Sequence, residues 1–217
     1  MLEKNYQNDV AELLINIKSI KFSFKEPFTL TSGSKSPVYV DCRRIISFIK
    51  ERNIILNYAN EYFNANQLNF DILAGGETAG IPYAAILSEQ LQKKMIYIRK
   101  QPKSFGKNQQ IEGQFEKGEK AILIEDLATD GGSKITFVNA MLDAGLKVEH
   151  IFVIFHYDIF EIEKTPLANT NVKIHSLCTW KDIINVISKK KLYSKNEITN
   201  LKFFLDFPEK WRENWVK

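Results

Sequence analysis

Residues 121–134 read A-I-L-I-E-D-L-A-T-D-G-G-S-K, an apolar run, two adjacent acids, then small and polar residues around a glycine pair. Adjacent carboxylates at the end of an apolar strand are costly to bury without partners, so the pattern asks for a ligand or a cation. A Walker B strand would use such acids, but it requires a GxxxxGK[ST] loop elsewhere. The Gly106-Lys107 step has Gln101 in the first glycine's place and Asn108 after it. No GxGxxG occurs, so the dinucleotide fingerprint fails as well. What remains is a loop, Ala128 to Ser133, between a strand and a helix predicted to start near Ser133. Its backbone N–H groups and the helix dipole would cradle a phosphate, with the Thr129 and Ser133 hydroxyls as further donors and Gly131-Gly132 permitting close approach. Glu125 and Asp126 cannot bind that phosphate. They would accept hydrogen bonds from hydroxyls nearby, and a ribose 5-phosphate carries both kinds of group. The alternative is an ordinary helix-capping turn.

Two further clusters follow strands. Gly75-Gly76-Glu77-Thr78 would present backbone donors to an anion, or form a plain tight turn. Arg99, Lys100, Lys103 and Lys107 place four cations within nine residues, with Gly106 and Gly113 as flex points. They fit either a solvated loop or a cover that closes over an anion and excludes water.

The elements that must position these groups alternate in type. A helix over 48–63 is followed by a strand over 71–74, a helix over 81–91, a strand over 95–99, a long loop, a strand over 121–125 and a helix over 134–142. Strands over 148–155 and 172–177, a helix over 180–188 and a helical piece over 197–205 complete the chain. This order predicts an α/β fold with a mostly parallel central sheet flanked by helices, and ligands beyond the carboxyl ends of the strands. A helix over 9–20 and the Pro- and Gly-interrupted short strands after it form a small N-terminal hood, 1–45. The expected organisation is one domain, with an α/β core over 46–190 and a C-terminal helical extension over 191–217.

Composition narrows the partners. An apolar fraction of 44% with 26% charged residues is that of an ordinary globular chain. Neither a membrane-length apolar stretch nor a signal-peptide core is seen, so a cytoplasmic location is expected. Cys42 and Cys178 form no CxxC pair, and His150, His156 and His175 have no HExxH spacing, which disfavours a disulfide framework and a tightly held zinc. The net charge of +4 suits anionic metabolites as well as nucleic acid. Lys189-Lys190-Lys191 fits a solvated helix end better than a binding patch.

The stretch A-I-L-I-E-D-L-A-T-D-G-G-S resembles the signature of the type I phosphoribosyltransferases, four apolar residues, two acids and a Thr/Gly-rich loop. F-T-L-T-S-G-S-K-S-P-V-Y-V-D at 28–41, G-G-E-T-A-G-I-P at 75–82 and R-K-Q-P-K-S-F-G-K-N-Q-Q-I-E-G at 99–113 are similar to segments of the family's orotate-using branch. The likeness runs from residue 22 to about 156; Thr31, Ala79 and Phe105 stand where many members carry Lys, Lys and His. The resemblance implies transfer of a phosphoribosyl group from phosphoribosyl pyrophosphate to orotate, giving orotidine 5′-monophosphate and pyrophosphate. It implies Mg2+ held mainly by substrate and water, with no direct protein cage. It also implies a homodimer with shared active sites, in which the 99–113 loop reaches the neighbouring subunit, and no nucleic-acid or membrane partner. Carried onto this sequence, the catalytic residues are Arg99, Lys103, Glu125 and Asp126. The sugar-phosphate and pyrophosphate contacts are Arg99, Lys100, Lys103, Lys107, Gly75, Gly76, Glu77, Thr78, Glu125, Asp126, Ala128, Thr129, Asp130, Gly131, Gly132 and Ser133. The orotate side is Lys35, Ser32, Gly33, Thr129, His156 and Tyr157, where Lys35 equally fits a surface lysine and His156 and Tyr157 fit ordinary strand-end residues. The same chemistry on another base, or a sugar-phosphate sensor of this fold, are the alternatives.

Overall fold

The computed structural model describes residues 6–30, 33–102, 110–129, 132–159, 166–168 and 170–215, apart from the side chain of Ser133. The chain divides into two units, Ile49–Leu177 and a second made of Met1–Phe48 together with Cys178–Lys217.

The Ile49–Leu177 unit holds the sheet. Its strands are β5 (Ile72–Gly76), β6 (Lys94–Ile98), β7 (Ile111–Glu112), β8 (Lys120–Ala128), β9 (Lys147–His156) and the start of β10 (Lys173–Thr179), in the order β10-β9-β8-β5-β6-β7. β6, β5, β8 and β9 run parallel, and the two-residue β7 pairs antiparallel to β6 within the expected long loop. Helices α2 (Ile49–Ala65), α3 (Gly80–Leu91) and α4 (Gly132–Asp143) belong to the same unit. All five residues of β5 are buried, as are Ala121 to Glu125 of β8. Such continuous burial is the mark of parallel strands covered on both faces. Each buried Ile or Leu of this run contributes about 2 kcal/mol through apolar burial. α4 lays Phe137, Val138 and Met141 into the core at helical spacing, and Phe63 of α2 meets Phe152 of β9 edge-on at 4.7 Å between ring centroids.

The strand order locates the ligand crevice. From β5 the chain crosses by α3 to β6 on one side, and later returns to β8 on the other. The order therefore reverses between β5 and β8, and open α/β sheets bind ligands outside the carboxyl ends at such a switch.

In the other unit, α1 (Tyr6–Asn16) packs on α5 (Trp180–Lys189). β1 (Ile20–Phe22) pairs antiparallel with β4 (Val38–Val40), and β2 (Phe28–Thr29) with β3 (Lys35–Ser36). The helix expected over 9–20 stops at Asn16, because Lys18 enters the left-handed region at φ 57° and the Ser19 N–H closes on Leu14 O at 2.9 Å. Ile20 is thereby released to start a strand. At α6 (Lys195–Asp206) the Ser194 hydroxyl accepts from the Glu197 N–H and Glu197 accepts from the Ser194 N–H, a reciprocal cap. A further helix, α7 (Pro208–Glu213), follows with proline in its first turn and buries Trp211 against Phe204, 5.2 Å between rings. No helix among the described residues is long and apolar enough to cross a membrane.

Candidate functional site

Two strand–turn–helix junctions meet at the switch. β5 passes through Glu77, Thr78 and Ala79 into α3, and β8 passes through Thr129 toward α4. Each helix turns its N-terminus, with its partial positive charge, toward the crevice end of the sheet.

At the first junction Gly75 and Gly76 lie within β5, not in the turn. Their value there is the missing side chain. A Cβ on Gly75 would sit 2.8 Å from Ile81 Cα, and one on Gly76 would sit 2.5 Å from Glu125 Oε1. The Glu77 N–H is taken by Ile98 O at 2.9 Å, so the expected backbone donors narrow to the turn that follows, and the Glu77–Thr78 peptide is cis. The Glu77 carboxylate accepts from the Lys100 N–H at 2.7 Å, which ties the turn to the exit of β6. Arg99 is set by the same exit: its backbone pairs with Gln110, and its Nη1 lies 3.8 Å from Glu112 Oε1. Arg99 Nε is enclosed with no hydrogen-bond acceptor among the described residues. A buried cationic N–H in that state suits an incoming anion.

At the second junction the strand runs further than the sequence suggests. β8 continues to Ala128, so Glu125 and Asp126 sit inside it and alternate across its faces. The acids therefore separate. Asp126 is partly exposed, whereas Glu125 is only 5% exposed and has Lys134 Nζ, itself 6% exposed, at 2.5 Å from Oε2. Burial pushes the Glu125 carboxyl up to about 7; Lys134 and the Gly80 amide pull it down, and the Asp126 charge adds to the rise. Its second oxygen, Oε1, has no hydrogen bond of regular geometry among the described residues. The two acids expected to act alike therefore differ in setting: Glu125 is buried and paired with Lys134, whereas Asp126 is partly exposed.

The sequence missed Lys134. The signal was available: Lys134, Phe137, Val138 and Met141 share one stripe of α4, so this lysine lies on the buried face, where it needs an anion.

The β9 residues flank the same junction. The Tyr157 N–H donates to Ala128 O at 2.9 Å, and the ring of Tyr157 meets Phe155 edge-on. Burial lowers the His156 pKa, against Asp158 and a hydrogen bond to the Thr129 backbone. His156 and Tyr157 thus brace Thr129 and Ala128. Gly132 opens α4. Lys103, Lys107, Asp130, Gly131, Ser32 and the Ser133 side chain lie outside the described residues.

In the other unit, Gly33 and Lys35 line a cleft of about 840 Å³ with Lys25, Pro27, Arg212 and Trp215. Lys35 Nζ donates to Thr29 Oγ1 at 2.9 Å, and Arg212 Nε donates to Lys35 O at 3.2 Å. The Lys35 ammonium is engaged by its own hairpin.

No protein-family model matches the chain. Curated sequences do. The chain is 45% identical over 204 residues to the orotate phosphoribosyltransferase of Agrobacterium fabrum, covering 93% of this chain and 88% of that protein. It is 42% identical over 205 residues to that of Roseobacter denitrificans, covering 94% and 91%. Among solved structures, the orotate phosphoribosyltransferase of Aeropyrum pernix superposes with a TM-score of 0.69 at 25% identity, over 85% of this chain and 99% of that one. The UMP synthase of Leishmania donovani gives 0.72 at 25% identity, over 92% of this chain and 42% of that longer one. With two glycine-lined junctions and an acid-bearing strand at the switch point, and this degree of identity along nearly its whole length, the chain belongs to the orotate phosphoribosyltransferase family.

Proposed function

We propose that this protein transfers the 5-phosphoribosyl group of phosphoribosyl pyrophosphate to a ring nitrogen of orotate, releasing pyrophosphate and forming orotidine 5′-monophosphate. In the reaction the bond from ribose C1 to the pyrophosphate oxygen breaks and a bond from C1 to the base nitrogen forms. Positive charge grows on the sugar and negative charge on the leaving group, so positioning and electrostatic stabilisation do most of the work. The observation that carries this reading is the convergence, at one topological switch, of the Glu77–Ala79 turn, the partly exposed Asp126 and the junction leading into α4.

The roles follow from chemistry. The β8–α4 turn, with Thr129, Asp130, Gly131, Gly132 and Ser133, takes the 5′-phosphate on main-chain amides at a helix N-terminus. Asp126 accepts from the ribose hydroxyls. The β5–α3 turn takes the pyrophosphate, with Arg99 and Lys100 at the exit of β6, and Lys103 and Lys107 add positive charge where the leaving group departs. Gly33, Lys35 and Ser32 are assigned to the base. Mg2+ fits this donor set. It favours oxygen ligands, keeps several waters and binds through one or two carboxylates plus substrate phosphates, and Asp126 offers one such carboxylate at the strand end. The ion would neutralise charge on the pyrophosphate oxygens. The further proposal of a homodimer, in which the 99–113 loop of one protomer completes the site of its partner, rests on the loop's resemblance to its family counterpart.

The test is direct. The chain is incubated with Mg2+, phosphoribosyl pyrophosphate and single bases, and base consumption is followed. Loss of orotate alone supports the reading, loss of a different base replaces the substrate, and no consumption of any base overturns it.

A further inference from the structure

Lys134 and Glu125 form a buried ion pair that the roles above leave without a task. Taking two charges out of water costs several kcal/mol per ion, and a pair of apolar residues of similar volume often stabilises a core as well or better. Stability alone is thus a weak reason for the pair. Its location supplies another. Residues 125 and 134 bracket the segment between β8 and α4, and the Nζ–Oε2 contact of 2.5 Å draws the two ends of that segment together at its base. The opposite side of the same carboxylate faces the other junction. Oε1 lies where a Cβ on Gly76 would approach to 2.5 Å and one on Gly80 to 2.8 Å. Gly76 and Gly80 are the residues on either side of the Glu77–Ala79 turn. One side chain thus abuts the flanks of the Glu77–Ala79 turn and, through Lys134, the first turn of α4.

We propose that Lys134 is a positioning residue for the sugar-phosphate substrate: by pinning Glu125 against the start of α3, it sets the separation between the N-termini of α3 and α4, the two helix ends that face the anionic groups of the substrate. The idea rests on the reaction proposed above and adds to it a residue that touches no reacting atom. Phosphoribosyl pyrophosphate carries its two anionic groups on C1 and C5 of a single sugar, so helix ends free to drift would grip one group or the other, not both. Orotate would feel the change far less.

The experiment compares the full-length wild type with Lys134→Met and with the double variant Glu125→Gln/Lys134→Met, in which both buried charges are gone. Each is measured for thermal midpoint, for Kd of phosphoribosyl pyrophosphate by calorimetry with Mg2+, and for KM of each substrate at saturating levels of the other. Lys134→Met should raise both Kd and KM for phosphoribosyl pyrophosphate on the order of tenfold or more, as expected when a contact remote from the chemistry shifts a site, and leave the orotate KM within about twofold. The double variant should regain thermal stability and keep the weakened sugar-phosphate binding. A double variant that regains both overturns the inference, because the pair would then serve folding only, and so does an unchanged Kd in either variant. If Lys134→Met does not fold, the double variant alone decides between these outcomes. A wild type that binds phosphoribosyl pyrophosphate but consumes no orotate sinks the reaction and not the inference, which the Kd ratio still tests.

Discussion

The two junctions at the switch point solve one problem by different means. The β5–α3 turn relies on closeness. Gly75, Gly76 and Gly80 leave no room for a side chain, and a Cβ on Gly80 would lie 2.1 Å from Ile124 O, inside the backbone of the neighbouring strand. The β8–α4 junction relies on charge, with a buried ion pair at its base and His156 bracing Thr129 from β9. Close packing gives a turn little freedom because its neighbours are solid. An ion pair holds only while both partners keep their charge, so the second junction is the one that chemistry can loosen.

The contrast can be broken most severely at Gly80. Gly80→Ala should destabilise the fold by about 3 kcal/mol, since the obstruction is main chain and cannot swing aside; urea unfolding measures it, and a loss below 1 kcal/mol would mean the junction is looser than described. Next in size, Asp126→Asn should lower kcat/KM about a hundredfold if the carboxylate accepts from the ribose hydroxyls, because the charge is lost and one acceptor oxygen becomes an NH2 donor, with the urea midpoint nearly unmoved because the side chain is partly exposed. Equal loss of stability and activity would instead make Asp126 a structural acid. Lys103→Ala should cut kcat by roughly ten- to a hundredfold at unchanged stability if it offsets charge on the leaving pyrophosphate; unaltered turnover removes it from the mechanism.

A smaller effect probes the charge-held junction alone. The folded Glu125 carboxyl titrates near 7 against an ordinary value of 4.5, so between those pH values the folded chain keeps a proton that the unfolded chain has released. The contribution is complete below pH 4.5 and fades as the pH rises through about 7. Glu125→Gln should remove that downward trend from the variant's own unfolding free energy, so that the difference between variant and wild type changes with pH across the window. A parallel offset at all pH values would assign the trend to other groups.

Much of this was legible before any coordinates. The runs I-L-A-G-G and A-I-L-I betrayed buried parallel strands, and α2, α3 and α5 lie within about two residues of the bounds their apolar spacing predicts. The two junctions could be read because glycines and acids closing an apolar run have few structural uses. Other features depended on partners distant in sequence. The extension of β8 to Ala128 follows from pairing with β9, where Ala128 stands opposite His156, and that extension splits Glu125 from Asp126. β7 is two residues long and exists through β6 alone. Met1–Phe48 shares a unit with Cys178–Lys217 through contacts such as α1 on α5, a pairing across most of the chain that local periodicity does not encode.

That sharing has a bearing on biosynthesis. Met1–Phe48 leaves the ribosome before the sheet-bearing unit, and its partner segment, Cys178–Lys217, emerges only after the whole of Ile49–Leu177 has been translated. The apolar stripe of α1, with Val10, Ala11 and Leu14, must wait uncovered while the sheet forms behind it. Until Cys178–Lys217 is made, the nascent chain therefore carries an apolar stripe open to aggregation.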